Sequence, residues 1–147
     1  MANATQIKFG YPDTLIAETP FWSVQTRPAQ PTLGALVLIC KEPVTAFGEV
    51  SPEAFSDLRG VTAKIERRLK ALTGYQRINY LMLMMVDLDV HFHVLPRYEG
   101  EKGLGDIIVP DRGWPGVPAL GDAVTLTSAQ LHTLTQTLRA GWDAGSH

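Results

Sequence analysis

The sequence contains little of what would place it in several common protein classes. Cys40 is the single cysteine among 147 residues, so no disulfide can form within the chain, which fits a reducing compartment. The longest apolar run, residues 80–86, is far shorter than the roughly 20 residues of a membrane-spanning helix. Charged residues make up 19% of the chain and the net charge is −2, so the sequence predicts no basic surface for nucleic-acid polymers. The N-terminal residues lack the charged-then-apolar pattern of a secretory signal. We therefore expect a cytoplasmic protein with one domain over residues 1–147.

Two segments have the capping residues and the apolar spacing of amphipathic helices. Ser51 is a helix-capping residue, Pro52 favours the first helical position, and Gly74 ends an apolar pattern of helical period. Thr127 begins a second segment that has the form of a capping box. Its apolar positions are Leu131, Leu134, Leu138 and Trp142.

The remaining apolar segments have the length of β-strands. Residues 21–25, 33–40 and 78–86 are predicted strands, and a tight turn at Asp87 and Leu88 would pair the last of them with the segment that follows. Residues 99–121 are rich in Gly and Pro and are predicted to be irregular. The order of strands, helix, strands and helix predicts an antiparallel α+β domain. Three methionines in the third strand are predicted to lie in the core: Met82, Met84 and Met85.

Asp89, His91 and His93 occupy alternate positions, with apolar residues between them. On a β-strand these three side chains would share one face. In the first of three possible roles, the imidazoles are structural and are satisfied by neighbouring groups. In the second they bind a metal ion, but the outer pair would be about 13 Å apart, so a compact site needs a ligand from elsewhere. The other histidines, His132 and His147, are predicted to lie on a helix surface and in a C-terminal tail.

In the third role one imidazole attacks phosphorus. Neutral imidazole is a good nucleophile near neutral pH, because its ordinary pKa is about 6.5. A covalent phosphoramidate would divide one difficult displacement into two easier ones. Such a ring needs one nitrogen free to attack and the other held as a hydrogen-bond donor, and a backbone carbonyl can hold it.

The segment from His91 to Arg97 resembles the second half of the histidine triad motif, His-φ-His-φ-His-φ-φ, in which φ is apolar. The resemblance extends to the proline-containing turn at residues 28–32 and to the strand and helix that follow, and it covers roughly residues 20–98. The family contains nucleotide hydrolases and transferases, and this chain resembles a divergent, bacterial-type branch. The resemblance implies an antiparallel sheet of about five strands with one long helix and a C-terminal helix. It also implies a homodimer.

The resemblance assigns roles to individual residues. His91 falls on the nucleophilic position and would form a nucleotidyl-histidine intermediate at the α-phosphate. The side chain of His93 would contact the phosphate, and its backbone carbonyl would orient the nucleophile. Gln25 falls where the family has a contact to the ribose, although it could equally be a surface residue at a strand end. Arg97 either neutralises a phosphate or ends its strand.

Three departures from the family pattern concern catalysis. Asp89 occupies the first histidine position, where it could act in proton transfer or favour protonation of His91. Residues 87–88 lack the phosphate-binding loop of the well-known branches, and Ala35 lies near the position of a further histidine. These losses remove groups that would stabilise charge on phosphorus. Trp114 could stack on a base, but packing against the core is the favoured interpretation.

The sequence thus predicts a nucleotide hydrolase or transferase that acts on a nucleotide conjugate or a dinucleoside polyphosphate. His91, His93 and Asp89 are the predicted catalytic residues, and Gln25 and Arg97 are the predicted substrate contacts. No cofactor, metal, nucleic-acid polymer or membrane partner is expected. Two alternatives remain open: a nucleotide-binding module with little or no turnover, and a metal-dependent hydrolase that uses the Asp-x-His-x-His face.

Overall fold

The computed structural model describes residues 1–143, and His147 lies outside the described residues. The helices are α1 (Ala4–Lys8), α2 (Pro52–Thr73) and α3 (Ser128–Ala140). The strands are β1 (Leu15–Glu18), β2 (Trp22–Thr26), β3 (Ala29–Gln30), β4 (Leu36–Cys40), β5 (Arg77–Leu81), β6 (His91–Arg97), β7 (Glu101–Leu104), β8 (Ile107–Pro110) and β9 (Val124–Thr125). Within residues 1–143, no helix combines the length and the apolar character that crossing a bilayer requires.

Five strands form one antiparallel sheet in the order β1-β2-β4-β6-β5. One face of the sheet packs against α2, where Leu36, Leu38 and Val94 join Ile65 and Leu69 in the main core. Phe9, which follows α1, packs against Val37 and Ile39 on the opposite face. The structure therefore confirms the predicted α+β fold, with a five-stranded sheet, one long helix and a C-terminal helix.

The helix boundaries lie where the capping residues predict them. Ser51 Oγ accepts a hydrogen bond from Ala54 N at 3.1 Å, and Pro52 is the first residue of α2. Gly74 ends α2 in the left-handed region with φ of 64°, which glycine adopts without a Cβ penalty. At α3 both hydrogen bonds of the predicted capping box are present, between Thr127 and Gln130.

The pairing of β5 with β6 is confirmed, but the tight turn between them is not. β5 ends at Leu81, which pairs with His93, and residues 82–90 form a long loop. The pairing therefore stops although β6 continues for two more residues, to His91. Met82 and Met84 pack partly buried against the core, as predicted. The prediction was wrong for Met85, which is 81% exposed.

α1, β1 and the short pair of β3 and β9 were not predicted, and a further region was predicted to be irregular. α1 is only five residues long, too short for an apolar period to show, although Asn3 and Gln6 form a capping box. β1 is a four-residue strand with weak alternation. Residues 99–121 include the hairpin of β7 and β8, which turns at Gly105 with φ of 61°. The dipeptide Gly105-Asp106 is a turn signal that could have revealed this hairpin.

Candidate functional site

His91 and His93 lie on the face of the sheet that α1 partly covers. Directly paired residues on antiparallel strands point to the same side of a sheet. One row across the sheet contains Gln25, Val37, His93 and Leu81, and the neighbouring row contains Ile39 and His91. We call this side the histidine face.

The ring of His91 is oriented by a backbone carbonyl. Its Nδ1 lies 2.6 Å from the carbonyl oxygen of Asp89. A carbonyl only accepts hydrogen bonds, so Nδ1 carries the proton and Nε2 carries the lone pair. Nε2 makes no hydrogen bond within residues 1–143, and His91, although only 2% exposed, contributes to the lining of a cleft. The carbonyl that holds the ring belongs to Asp89, whereas the resemblance had assigned this role to His93.

His93 is a neutral imidazole beside His91, with ring centroids 5.2 Å apart. Burial lowers the pKa of His93 to about 4, and the positive charge of Arg27 contributes to the shift. Phe9 covers the ring edge-on at 5.9 Å. Nδ1 of His93 is buried and has no hydrogen-bond partner among the described residues. A proton on Nε2 would make this ring a neutral donor to an anion.

Arg27 brings a positive charge to the two histidines, and the sequence analysis did not select it. Its guanidinium donates through Nη1 to the carbonyl of Ala29, while its Nε is buried without a partner in the described part of the chain. Burial also lowers the pKa of Arg27, but a guanidinium remains charged in proteins. A buried N–H without an acceptor is costly, and an anionic ligand could satisfy it. Arg27 is isolated in the sequence, so no local pattern identifies it.

These groups line a cleft of about 240 Å³, which we call the histidine cleft. Its lining consists of Lys8, Phe9, Arg27, residues 83–87, His91 and His93. Lys8 Nζ and the Asp87 carboxylate lie in this lining as an ion pair at 2.8 Å. The volume is below the roughly 300–1,000 Å³ of ligand sites, so the cleft can accept the phosphate end of a nucleotide but not a complete nucleotide conjugate.

Asp89 does not join the histidines as the sequence predicted. β6 begins at His91, so the strand alternation does not extend to Asp89. The Asp89 carboxylate accepts hydrogen bonds from Thr5 N at 3.2 Å and from Thr5 Oγ1 at 2.8 Å. The side chain therefore anchors α1, and only the backbone carbonyl of Asp89 contacts the candidate nucleophile.

Gln25 is a structural residue and not an open contact for a ribose. It is fully buried, and Nε2 donates to the carbonyls of Gln6 and Phe9 at 3.0 and 3.3 Å. Its Oε1 accepts from Ser23 Oγ at 3.0 Å. Both ends of the amide are thus occupied, because the segment containing α1 lies directly over this part of the sheet.

Arg97 is the last residue of β6, and its charge is neutralised within the protein. Its Nε and Nη2 donate to the two carboxylate oxygens of Asp111 at 2.7 and 3.1 Å, and both side chains are buried. Its Nη1 donates to Asn79 Oδ1 at 2.8 Å. The guanidinium is therefore engaged by Asp111 and Asn79, and its contact to a phosphate stays a prediction.

The other predicted positions lie away from the histidine cleft. Trp114 is half-buried and lines a second cleft of about 470 Å³, where its neighbours include Arg77 and Leu81. Ala35 is buried directly before β4, and His132 is exposed on α3, as predicted. A larger cleft of about 500 Å³ lies between β1, α2 and α3, but it contains no histidine.

The described part of the chain contains no group of three His, Cys, Asp or Glu side chains that could hold a metal ion. In the metal hypothesis Asp89 was the third ligand beside the two histidines. The Asp89 carboxylate instead accepts hydrogen bonds from Thr5, so it is not directed towards the two histidines as a third ligand.

Comparisons with solved structures identify the fold. The chain is similar to a histidine triad protein from Bradyrhizobium japonicum, with 15% identity, a TM-score of 0.72 and coverage of 97% of both chains. A histidine triad protein from Sinorhizobium meliloti is similar at 20% identity and a TM-score of 0.73, with 95% of each chain covered. A hypothetical histidine triad nucleotide-binding protein from Sulfolobus tokodaii is similar at 14% identity and a TM-score of 0.72, covering 95% of this chain and 89% of that one.

No protein-family model matches the sequence, and no curated protein matches it. The structural similarity nevertheless extends over nearly the whole chain. The protein therefore has the histidine triad fold, and the resemblance seen in its sequence is confirmed at the level of the fold.

Proposed function

We propose that this protein is a nucleotide hydrolase or transferase that acts at the α-phosphate of a nucleotide conjugate. The observation that carries the proposal is the orientation of His91: the Asp89 carbonyl holds Nδ1, and the unprotonated Nε2 has no hydrogen-bond partner within residues 1–143, in a residue that lines the histidine cleft. Arg27 lines the same cleft, so its positive charge lies close to a phosphate bound there. The similar protein from Sulfolobus tokodaii is named a hypothetical histidine triad nucleotide-binding protein, which agrees with this ligand class.

The proposed reaction has two displacements at phosphorus. The lone pair of His91 Nε2 forms a bond to the α-phosphorus, and the bond from phosphorus to the leaving group breaks with its electron pair. The leaving group takes a proton from water, and Nδ1 keeps its own proton against the Asp89 carbonyl. Water, or another acceptor hydroxyl, then attacks phosphorus and loses its proton to solvent. The P–N bond breaks, and His91 returns to its neutral form.

The surroundings of His91 suit the charge that develops in this reaction. Arg27 contributes a fixed positive charge, and a charge-assisted hydrogen bond to phosphate is stronger than a neutral one. His93 is neutral near pH 7, so it can donate a hydrogen bond to the phosphate without repelling a positively charged His91 intermediate. Burial of these groups strengthens their electrostatic effect.

The test is to trap the covalent intermediate. The protein is incubated with diadenosine tetraphosphate or with an aminoacyl-adenylate mimic and quenched in alkali, where phosphoramidates survive. Peptide mass spectrometry should find an adenylyl group on His91. His91→Ala should abolish the adduct and lower the turnover rate at least about a thousand-fold, as loss of a nucleophile does. His132→Ala is the matched control, because it removes an exposed histidine on α3.

Product release without an adduct on His91, or turnover that persists in His91→Ala, would contradict the mechanism. Activity that a chelator abolishes and a divalent ion restores would favour the metal-dependent alternative instead.

One observation favours the alternative of a binding module with little turnover. The loop beside the histidines places Leu83, Met84, Met85 and Val86 in the lining of the histidine cleft. These side chains offer no hydrogen bonds to an oxyanion, and each missing donor weakens stabilisation of the transition state. Measurable binding of AMP, with neither adduct nor product in stopped and continuous assays, would support this alternative.

We also propose a homodimer. β5 is the edge strand of the sheet and has unpaired backbone groups along one side. Phe47 and Phe55 are 45% and 40% exposed, and Phe47 contacts Phe92 of β6, the strand beside β5, at 5.7 Å. Sedimentation velocity should give twice the mass of the chain, and Phe55→Asp should shift the protein towards the monomer. A monomeric wild-type protein at high micromolar concentration would refute the dimer.

A further inference from the structure

The two clefts that flank β5 and β6 lie on the same face of the sheet. His93 is paired with Leu81, and Arg97 is paired with Arg77. Since paired residues point to one side, and every second residue of a strand does the same, the histidine face continues from His93 to Arg77. Four residues of a strand span about 13 Å, so this surface extends well beyond the histidine cleft.

On the opposite side of the histidines, the N-terminal segment covers the sheet. Gln6 donates to Ser23 Oγ at 3.0 Å, and its carbonyl accepts from Gln25 at 3.0 Å. Phe9 packs on Val37. Ser23, Gln25 and Val37 are consequently buried, and no surface is left there for the rest of a large ligand. A conjugate with its phosphate at His91 can extend along the histidine face towards β5.

The surface over β5 has the chemistry of a site for a planar, anionic group. We call it the Trp114 cleft and define it by Arg77, Leu81, Trp114 and Pro115, which line its volume of about 470 Å³. The half-buried indole ring offers a stacking surface. Arg77 is exposed and donates to the carbonyl of the adjacent Gln76, so its charge is available to a ligand. Arg97 contributes no net charge because it is paired with Asp111.

We propose that the Trp114 cleft binds the leaving group of the substrate, and that this group is planar, aromatic and anionic. The proposal rests on the proposed function, which places the α-phosphate at His91. A dinucleoside polyphosphate has the required form, because its second base can stack on Trp114 while its phosphates pass Arg77. The two clefts then bind the two halves of one substrate on either side of the reacting phosphorus.

Two substrates with the same adenylyl group but different leaving groups test this assignment. Diadenosine tetraphosphate has a large aromatic leaving group, whereas adenosine 5′-phosphoramidate releases only ammonia. Trp114→Ala should lower kcat/KM for diadenosine tetraphosphate by about ten-fold, as loss of a stacked base does, and change kcat/KM for the phosphoramidate less than two-fold. Arg77→Ala should act in the same direction, and Trp114→Phe should retain most of the wild-type value.

Arg112→Ala is the matched control for charge, because Arg112 is exposed in the same loop and does not line the cleft. An equal loss of kcat/KM for both substrates in Trp114→Ala would show a structural role for Trp114 and overturn the assignment. An unchanged kcat/KM for both substrates would also overturn it. If the wild-type protein turns over neither substrate, the proposed function fails. Calorimetric titrations of the wild type and of Trp114→Ala with diadenosine tetraphosphate and with AMP then decide the site. A loss of affinity in Trp114→Ala for the larger ligand alone supports the assignment. Equal affinities of variant and wild type for that ligand, or no binding by the wild type, refute it.

Discussion

The face of the central sheet that packs against α2 is apolar, whereas polar side chains cross the histidine face. Leu36 and Val94 contribute to the first face through contacts that depend on size and shape. On the second face, Gln25 and Arg97 are held by directed hydrogen bonds to groups from other segments. One sheet thus combines an apolar core with a polar scaffold, and the polar scaffold positions the candidate site.

The difference shows which polar residues are structural and which remain available. The side chains of Asp89, Gln25 and Arg97 are all engaged by protein groups. In contrast, Arg27 and His93 each have a buried nitrogen without a partner in the described residues. Buried polar groups are nearly always satisfied in native proteins. Of the three exceptions in the described residues, Arg27 and His93 line the histidine cleft and Thr32 Oγ1 does not, so we expect a ligand at that cleft.

The largest effect is expected from the ion pair on the histidine face. Arg97→Met should lower the free energy of unfolding by roughly 3–5 kcal/mol, because it leaves the buried carboxylate of Asp111 without its counter-charge. Urea denaturation measures the change. The double variant Arg97→Met/Asp111→Leu should recover much of the loss, and a single variant within 1 kcal/mol of wild type would contradict the expectation.

Next in size is a truncation on the apolar face. Leu36→Ala should cost roughly 2–5 kcal/mol of unfolding free energy, because Leu36 is fully buried and the substitution leaves a cavity. The affinity for AMP, measured under conditions where the variant is folded, should stay within about two-fold of wild type. A large loss of affinity would show that the two faces are coupled more strongly than their separate contacts indicate.

The third prediction concerns pH. The folded-state pKa of His93 is about 4, below its ordinary value of 6.5, so the unfolded chain takes up the proton first as the pH falls. His93 therefore costs no stability above about pH 6.5, and stability decreases as the pH drops towards 4, by an amount on the order of 3 kcal/mol. His93→Leu should remove this component from the pH dependence of unfolding. Identical pH profiles for variant and wild type would show that the pKa of His93 is the same in the folded and the unfolded chain.

The smallest effect is expected at Gln25. Gln25→Ala should lower the free energy of unfolding by about 1–3 kcal/mol, because it leaves buried carbonyls of the N-terminal segment without a donor. Protease cleavage within residues 1–14 should also become faster. Unchanged stability together with weaker nucleotide affinity would instead return Gln25 to the role of a ribose contact.

Several parts of the structure could be predicted because their signals are local. The caps of α2 and α3 depend on residues within one helical turn, so Ser51, Gly74 and Thr127 identify the helix ends. The alternation around His91 and His93 identifies a strand with one polar face, since side-chain direction in a strand repeats every two residues. The resemblance to the histidine triad motif then predicted which α+β fold it is: a sheet of about five strands with one long helix and a C-terminal helix.

The errors concern contacts between distant segments. Asp89 bonds to Thr5, 84 positions earlier in the chain, and nothing near Asp89 indicates that partner. Arg97 pairs with Asp111 across a hairpin that the analysis had taken as irregular. The exposed loop at residues 82–90 looked like a buried strand, because composition alone does not say whether another element covers an apolar run.

The amino-acid sequence by itself determined the α+β class, the long helix and the placement of two imidazoles on one strand face, because backbone period and capping act within a few residues. The tertiary structure decided which polar groups are available for chemistry. It occupies the Asp89 carboxylate, Gln25 and Arg97 with structural bonds and leaves Arg27 beside the histidines. The reason is that a hydrogen-bonding group is committed or free only according to what the folded chain brings within about 3 Å of it.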